Sequence, residues 1–319
     1  MKIDVNTDRD HAVSLARRSL DYGEVIGLPT ETVYGLAADA TNEAAVRRIF
    51  ELKGRPAHNP LICHCADLEM VRNYAVLGPQ SERLARAFWP GPLTMVLRKV
   101  PQSRLPEVTT AGLGTVAIRV PEGFSRDVIA ALGRPVAAPS ANISGKVSAT
   151  QARHVEDDFG TAVEKVFDGG KTTIGIESTI LMMVDGGAKL LRPGGLSLEA
   201  IESLLGFEVE GVGQQEAIIA PGMLLSHYAP RAAVRLNASS FADDEAFIAF
   251  GSHSGGCRTD RVFNLSPSAD LNEAASNLYT MLKLADATGA GVIAIAPIPV
   301  VGLGVAINDR LRRAAAPRG

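Results

Sequence analysis

Residues 42–65, running from Asn42 through Lys53-Gly54-Arg55-Pro56-Ala57-His58-Asn59-Pro60 to Leu61-Ile62-Cys63-His64-Cys65, change period and so decide the fold class. Asn42 caps a helix predicted to reach Lys53, with Val46, Ile49 and Phe50 on one face and Gly54 as its stop. Leu61–Cys65 then reads as an apolar strand. A helix that passes through a polar Gly/Pro loop into a strand is one unit of an α/β layer, and its loop is presented at the rim of the sheet. Cations at a helix C-terminus contribute about 0.3–1 kcal/mol, which alone accounts for most such pairs. Here Gly54 and Pro56 also fix the backbone around Lys53 and Arg55, and a point charge beside a planar fork suits a triphosphate. On the strand, alternation places Cys63 and Cys65 on one face and His64 on the other. The spacing of zinc ligands is absent, so the cysteines read as buried strand residues.

Outward from this unit the pattern stays α/β. Helices are predicted over 9–22, from Asp67, over 81–88 and over 197–205, with strands at 24–28, 93–98, 115–120, 136–138, 165–168, 178–184 and 189–191. Several links are too short for a crossover helix, so parallel and antiparallel pairing are mixed. Trp89-Pro90-Gly91-Pro92 forms a rigid corner. Gly206 to Pro221 reads as a linker, and beyond it short strands at 234–236, 246–250, 262–265 and 292–296 alternate with helices from Asp270 and over 303–315. Glu273 is placed as the capping-box partner of Asp270.

Two further segments end apolar runs in the same way. Thr30-Glu31-Thr32-Val33-Tyr34 follows Pro29; it reads either as a capped turn or as a pair of hydroxyls on one side of an extended chain, with Tyr34 stacking on a flat ring or completing the core. Pro139-Ser140-Ala141-Asn142-Ile143-Ser144-Gly145 leaves the strand at 136–138, and with Ser148 it makes a small-residue loop that a ligand can approach closely. Thr115 and Arg119 share one face of their strand, ~13 Å apart. A mid-strand arginine must meet water, a carboxylate or a ligand anion. Ser178 and Arg192 each flank a strand. Gly251-Ser252-His253-Ser254-Gly255-Gly256 lacks the spacing of a dinucleotide loop and reads as a flexible connection.

Bulk composition narrows the classes. The 319 residues are 46% hydrophobic and 21% charged with a net charge of −3, ordinary for a globular chain long enough for two domains. Residues 1–200 hold 23 basic and 23 acidic side chains, so an anion site there must be a local cluster in a neutral domain. No apolar run approaches the ~20 residues that span a bilayer. The polar, acidic start is unlike a signal or transit peptide, and three cysteines make no disulfide framework. A cytoplasmic location is the expectation.

The set PTETVYGL, KGRPAHNPL, WPGPLT, TVAIRVP, PSANISG, ESTI and LLRPGG resembles the Sua5/YrdC/YciO family of threonylcarbamoyl-AMP synthases over most of residues 10–200. Ser226-His227-Tyr228-Ala229-Pro230 and the run Gly302 to Leu311 resemble the long, two-domain Sua5 form. The resemblance implies an α/β fold. A YrdC-like twisted mixed sheet with an open ligand cavity would span 8–200, a linker 201–230, and a smaller Rossmann-like domain 231–319. It implies synthesis of L-threonylcarbamoyladenylate from L-threonine, bicarbonate and ATP, releasing pyrophosphate. Transfer machinery would then modify adenosine 37 of tRNAs reading ANN codons to t6A, a chemistry compatible with weak direct tRNA contact.

The implied roles are specific. Lys53 and Arg55 would be catalytic and, with Asn59, hold the ATP phosphates. Thr115, Ser140, Ser148, Arg192 and Tyr228 would also contact the nucleotide, and Asn142 would organise its loop. Arg119 would pair with the threonine carboxylate, while Thr32, His64, the Ala138 backbone and Ser178 line the threonine pocket. Mg2+ would be carried mainly by phosphates and water. Both Lys53 and Arg55 are expected in an exposed loop, removable without harm to the fold. An RNA-binding sheet is the rival class. A carbamoyl-transfer domain like that of hydrogenase-maturation proteins is the rival enzyme, though its zinc-finger and acylphosphatase segments do not occur here.

Overall fold

The computed structural model describes residues 1–184, 186–211, 227–252 and 259–317. The linker expected at 206–221 and the connection at 251–256 therefore lie largely outside the described residues. Asn42 caps the helix Glu43–Lys53 by accepting from the Ala45 amide, and Gly54 ends it at φ 59°, where a side chain would be strained. That helix delivers the chain to a strand, Ile62–His64, near the middle of a large sheet.

In chain order the strands of that sheet are β1 Lys2–Asp4, β2 Ile26–Leu28, β3 Gly35–Asp39, β4 Ile62–His64, β5 Leu93–Arg98 and β6 Thr115–Arg119. They continue as β7 Val136–Ala137, β8 Val166–Asp168, β9 Thr179–Val184, β10 Gly187–Arg192 and β11 Glu210–Gly211. Among the described residues their spatial order is β1-β8-β2-β3-β7-β4-β6-β5-β9-β10-β11. Pairing is mixed as expected: β4 lies parallel to β6 but antiparallel to β7, and β5 is antiparallel to β6 but parallel to β9.

Strand alternation sorts the side chains. Cys63, Cys65, Met95 and Ile118 enter the main core with Tyr34, Leu36 and Ile49. Ile62, Val96, Ala117, Ile180 and Leu191 form a small apolar patch on the opposite face. Helices Arg9–Asp21 and Phe124–Leu132 cover a further apolar layer containing Ile26, Leu28, Ala37 and Phe167.

Several elements differ from the sequence reading. β3 was not expected because GLAAD carries no β-branched or aromatic residue; it is buried at every position, so packing rather than propensity makes it a strand. The helices Phe124–Leu132 and Ala152–Phe159 begin without a side-chain cap, which removed their start signal. Residues 201–211, expected to open the linker, pack into the first domain instead: Ile201, Leu205 and Val209 join the main core, and β11 pairs with β10.

The second domain is a parallel sheet of β12 Ala233–Arg235, β13 Ala246–Ala249, β14 Val262–Asn264 and β15 Val292–Ile295, in the order β12-β15-β13-β14. Helices Leu271–Ala287 and Leu303–Ala314 pack on it. Asp270 caps the first, accepting from the Glu273 amide at 2.7 Å, but the Glu273 carboxylate accepts from Ser266 and Ser268 rather than completing a capping box. The domains meet closely. A Cβ on Gly175 would lie 2.4 Å from the Ser276 Cα, so only glycine admits that helix. No helix among the described residues is long and apolar enough to cross a membrane.

Candidate active site

The three polar segments converge on one cavity. Its wall includes Thr32, Arg55, His64, Arg119, Ala138, Ser140, Ser178, Arg192 and Tyr228, nine of the residues singled out in the sequence. Its volume is about 40 Å³, room for little more than a water molecule. His227 and Tyr228 from the second half of the chain are part of its wall. Tyr228 is buried at φ 63°, stacked on Tyr279 (5.6 Å between centroids) and edge-on to His227 at 4.1 Å.

Thr30 answers the first ambiguity. Its hydroxyl accepts from the Thr32 and Val33 amides, both at 3.2 Å, and donates to the Val33 carbonyl at 2.6 Å. It therefore caps the turn and presents Thr32 to the cavity. Tyr34 completes the core, its hydroxyl donating to the Gly170 carbonyl at 2.7 Å.

Arg119 is anchored on three sides. Nε donates to the Gly91 carbonyl at 3.1 Å and Nη1 to Thr32 Oγ1 at 2.8 Å. Nη2 lies 2.6 Å from Glu31 Oε2. That last contact is a close approach of charges without hydrogen-bond alignment, because Nη2 and both Glu31 oxygens are left without hydrogen-bond partners. The guanidinium thus meets a carboxylate, yet keeps donor capacity for a better-placed one. Cross-strand from Arg119 sits His64, whose pKa burial and then the Arg119 charge push well below the ordinary histidine value. It faces the cavity as a neutral imidazole.

Lys53 and Arg55 are not exposed, contrary to expectation. Lys53 is 2% exposed, and Nζ donates to the Ser140 carbonyl at 2.6 Å and to that of Asn142. Burial, then the neighbouring Arg55, hold its pKa well below the usual lysine value. Asn142 in turn donates to the carbonyls of Ile143 (2.8 Å) and Lys146 (2.9 Å), so the loop is wrapped on Lys53. Lys53 lies behind Ser140 rather than on the cavity wall. A buried strand–loop junction with carbonyls turned inward made this the lower-energy use of an ammonium.

Arg55 does reach the wall. Asn59 and Pro60 orient it: Nε donates to the Asn59 carbonyl (3.0 Å), and Nη2 to Asn59 Oδ1 (2.6 Å) and the Pro60 carbonyl (2.8 Å). Burial and the nearby Arg192 lower its pKa to about 9. Arg192 is also fully enclosed, and donates through Nε and Nη2 to the Ser178 carbonyl at 3.2 and 2.9 Å. Among the described residues neither guanidinium forms an ion pair within 4.0 Å. Gly194 permits this packing, since a Cβ there would sit 2.4 Å from the Glu177 carbonyl oxygen.

Ser148 and Thr115 stand off the wall. Ser148 donates to Glu177 Oε1 at 2.6 Å, and Thr115 lies at the far end of β6, paired with Arg98. Among the lining residues without an assigned role, two are titratable: Glu177 and His227. Burial alone would raise the Glu177 pKa, but Arg310 and Arg192 pull it down to about 2. Burial lowers the His227 pKa to about 3, and its Nδ1 has no hydrogen-bond partner. Both lie within quoted motifs, Glu177 opening ESTI and His227 preceding Tyr228, and that membership was the available signal.

Comparison with known proteins matches both halves of the chain. Residues 18–194 match the Sua5–YciO–YrdC family, described as telomere recombination, and residues 196–316 match the family described as threonylcarbamoyl-AMP synthase, C-terminal domain. The chain is 42% identical to the threonylcarbamoyl-AMP synthase of Pyrococcus abyssi, over 96% of this chain and 94% of that one. It is 40% identical to the Bacillus subtilis enzyme of the same name, over 97% of this chain and 94% of the relative. The crystal structure of P. abyssi Sua5 complexed with L-threonine superposes with a TM-score of 0.89 at 40% identity, covering 99% of this chain and 97% of that one. Matched along both domains in the same order, the chain belongs to the Sua5–YciO–YrdC family of threonylcarbamoyl-AMP synthases, in its two-domain Sua5 form.

Proposed function

We propose that this protein synthesises L-threonylcarbamoyladenylate from L-threonine, bicarbonate and ATP, releasing pyrophosphate. One observation carries the reading: Arg55 and Arg192 are buried at the same cavity wall, bonded to neutral oxygens and without a carboxylate in ion-pair contact among the described residues. Buried cations without a carboxylate in contact are costly, and a polyanionic ligand relieves that cost. That P. abyssi Sua5 is complexed with L-threonine supports threonine as a substrate here.

In this reading Arg119 takes the threonine carboxylate as a planar fork, exchanging it for the poorly aligned Glu31 contact. Thr32, His64, the Ala138 backbone and Ser178 surround the rest of the amino acid. The amine, once deprotonated, condenses with bicarbonate to a carbamate and water; a carbamate oxygen then attacks the α-phosphorus and pyrophosphate leaves. Arg55, Ser140 and Arg192 hold the nucleotide, and Tyr228 covers it. Lys53, Asn59, Asn142 and Ser148 act one layer back, shaping the loops and aiming Arg55. Thr115 would serve the outer end of the nucleotide site. The protein's part is orientation, charge neutralisation and exclusion of water from a labile adenylate.

Mg2+ fits as a passenger on the triphosphate. Among the described residues no cluster of three metal-binding side chains exists, and Glu177, the carboxylate on the cavity wall, is engaged by Ser148, Tyr279 and Arg310. The ion would supply neutralisation of phosphate charge. The product would pass in the cytoplasm to machinery that makes t6A at position 37 of tRNAs reading ANN codons, with at most weak tRNA contact here. Mass spectrometry of the protein with ATP, Mg2+, threonine and ¹³C-bicarbonate tests the reaction. A labelled nucleotide adduct is expected, and ATP turnover without carbon incorporation would overturn it.

A further inference from the structure

A second cavity, of about 280 Å³, lies within the first domain, and Thr30 lines both it and the active cavity. Val5, Pro29 and Phe124 give it an apolar floor, while Glu31, Glu122 and Thr172 bring oxygens to it. The Glu31–Arg119 contact joins the two spaces, because Arg119 lines the active cavity and Glu31 the second one. These oxygens are short of partners. Both Glu31 carboxylate oxygens are buried without a hydrogen bond, and so is the hydroxyl of Thr172, a residue only 4% exposed. Glu122, at the rim, forms no ion pair within 4.0 Å among the described residues. Partial burial and then the Glu31 charge raise its pKa. The nearby protein cations are committed elsewhere. Arg9 donates through Nε to Asp127 Oδ2 at 2.9 Å and lies over the Phe124 ring, and Lys171 donates to Asn277 Oδ1 at 2.6 Å.

We propose that the second cavity binds a hydrated divalent cation between Glu31 and Glu122, and that this ion frees Arg119 for threonine. The coupling rests on reading Arg119 as the anchor of the threonine carboxylate. Glu31 has one counter-charge in contact, the Arg119 guanidinium at 2.6 Å, and the two are poorly aligned. A substrate carboxylate that takes Nη2 leaves Glu31 a buried anion with a second carboxylate nearby, which is costly unless a cation meets it. Carboxylates and a hydroxyl are hard oxygen donors, the set that suits magnesium and calcium. Two carboxylates fall short of a cage, so the ion keeps several waters, for which the cavity has room. Two negative charges on the wall match a divalent ion better than a monovalent one. By linkage, the ion and threonine strengthen each other's binding by the same factor.

The test uses the full chain without nucleotide, so that no triphosphate carries the metal. Calorimetry measures the threonine Kd in Mg2+ and in NaCl of matched ionic strength. Mg2+ lowers it by at least about fivefold, the low end of coupling between two sites. In Glu122→Gln the Kd in NaCl moves by less than about twofold and the Mg2+ effect is lost, whereas Thr172→Val keeps part of that effect. Mn2+ as a relaxation probe reads the site without threonine: the wild type holds the ion and Glu122→Gln does not. A threonine Kd equal in Mg2+ and NaCl overturns the proposal, as does a Mg2+ effect that survives Glu122→Gln. Wild-type protein that holds no Mn2+ overturns it too. Heats that follow the buffer's ionisation enthalpy, with no Mg2+ effect, would assign the compensation of Glu31 to a proton and overturn it equally. If threonine does not bind while Mn2+ is held through Glu122, the reading of Arg119 fails and the ion site stands.

Discussion

Lys53 Nζ lies 2.6 Å from the carbonyl oxygen of Ser140, so the cation leading the Lys-x-Arg motif is an internal strut for the Ser-x-Asn loop. Lys53→Met should cost about 2–4 kcal/mol of stability by stranding two buried carbonyls, and turnover should drop ~100-fold because Ser140 loses its seat. Denaturant unfolding and steady-state kinetics measure the two effects. Full turnover loss with unaltered stability would return Lys53 to the role of a free phosphate ligand.

Arg119 and Glu31 are a buried pair, so removing one member exposes the other. Arg119→Gln alone should destabilise by about 3–5 kcal/mol. Adding Glu31→Gln should restore much of that stability while KM for threonine stays raised roughly tenfold or more. If stability and threonine KM recover together, Arg119 is structural.

Asn59 works through Arg55, to which it offers two acceptors. Asn59→Ala should raise KM for ATP by roughly three- to tenfold, and Asn59→Ala with Arg55→Ala should be no worse than Arg55→Ala alone. An additive double-variant result would give Asn59 its own contact with the nucleotide.

Burial holds both His154 and His227 at about 3, against an ordinary 6.5. Each is neutral in the folded chain and takes a proton when unfolded. Their contribution is complete above pH 6.5 and is lost as pH falls from there toward 3. The unfolding free energy should fall by up to ~1.4 kcal/mol per pH unit for each histidine. His227→Asn should flatten that slope by up to one proton's share, read from urea midpoints between about pH 6 and 4. An unchanged slope would mean that the His227 ring titrates freely in the folded chain.

Tyr34→Phe should cost about 1 kcal/mol through its lost bond to Gly170 and leave both KM values alone. A raised KM for ATP would put the ring back in the site.

Much of this was legible in the sequence because each motif ends a strand at the sheet's rim. Alternation alone separated His64 from Cys63 and Cys65 and set Arg119 on the cavity face. The depth of Lys53 was not legible, since nothing local announces that its ammonium will meet the carbonyls of a loop 87 residues away. The pairing of Glu177 with Arg310 was hidden for the same reason: 133 residues separate them, and only docking of the second domain makes them neighbours. β3 was hidden by composition, because Gly35-Leu36-Ala37-Ala38-Asp39 is a strand by burial rather than by propensity.

The pairing of β1 with β8, Lys2 opposite Val166, has a consequence for how the protein is made. A ribosome adding about 5–20 residues per second leaves the first strand waiting roughly ten to thirty seconds for its neighbour. Until then β2 also lacks the neighbour that Val166 provides, and its flank is open to other nascent chains. Polypeptides halted short of residue 166 should therefore aggregate or be degraded, a hazard that grows with the delay in translation.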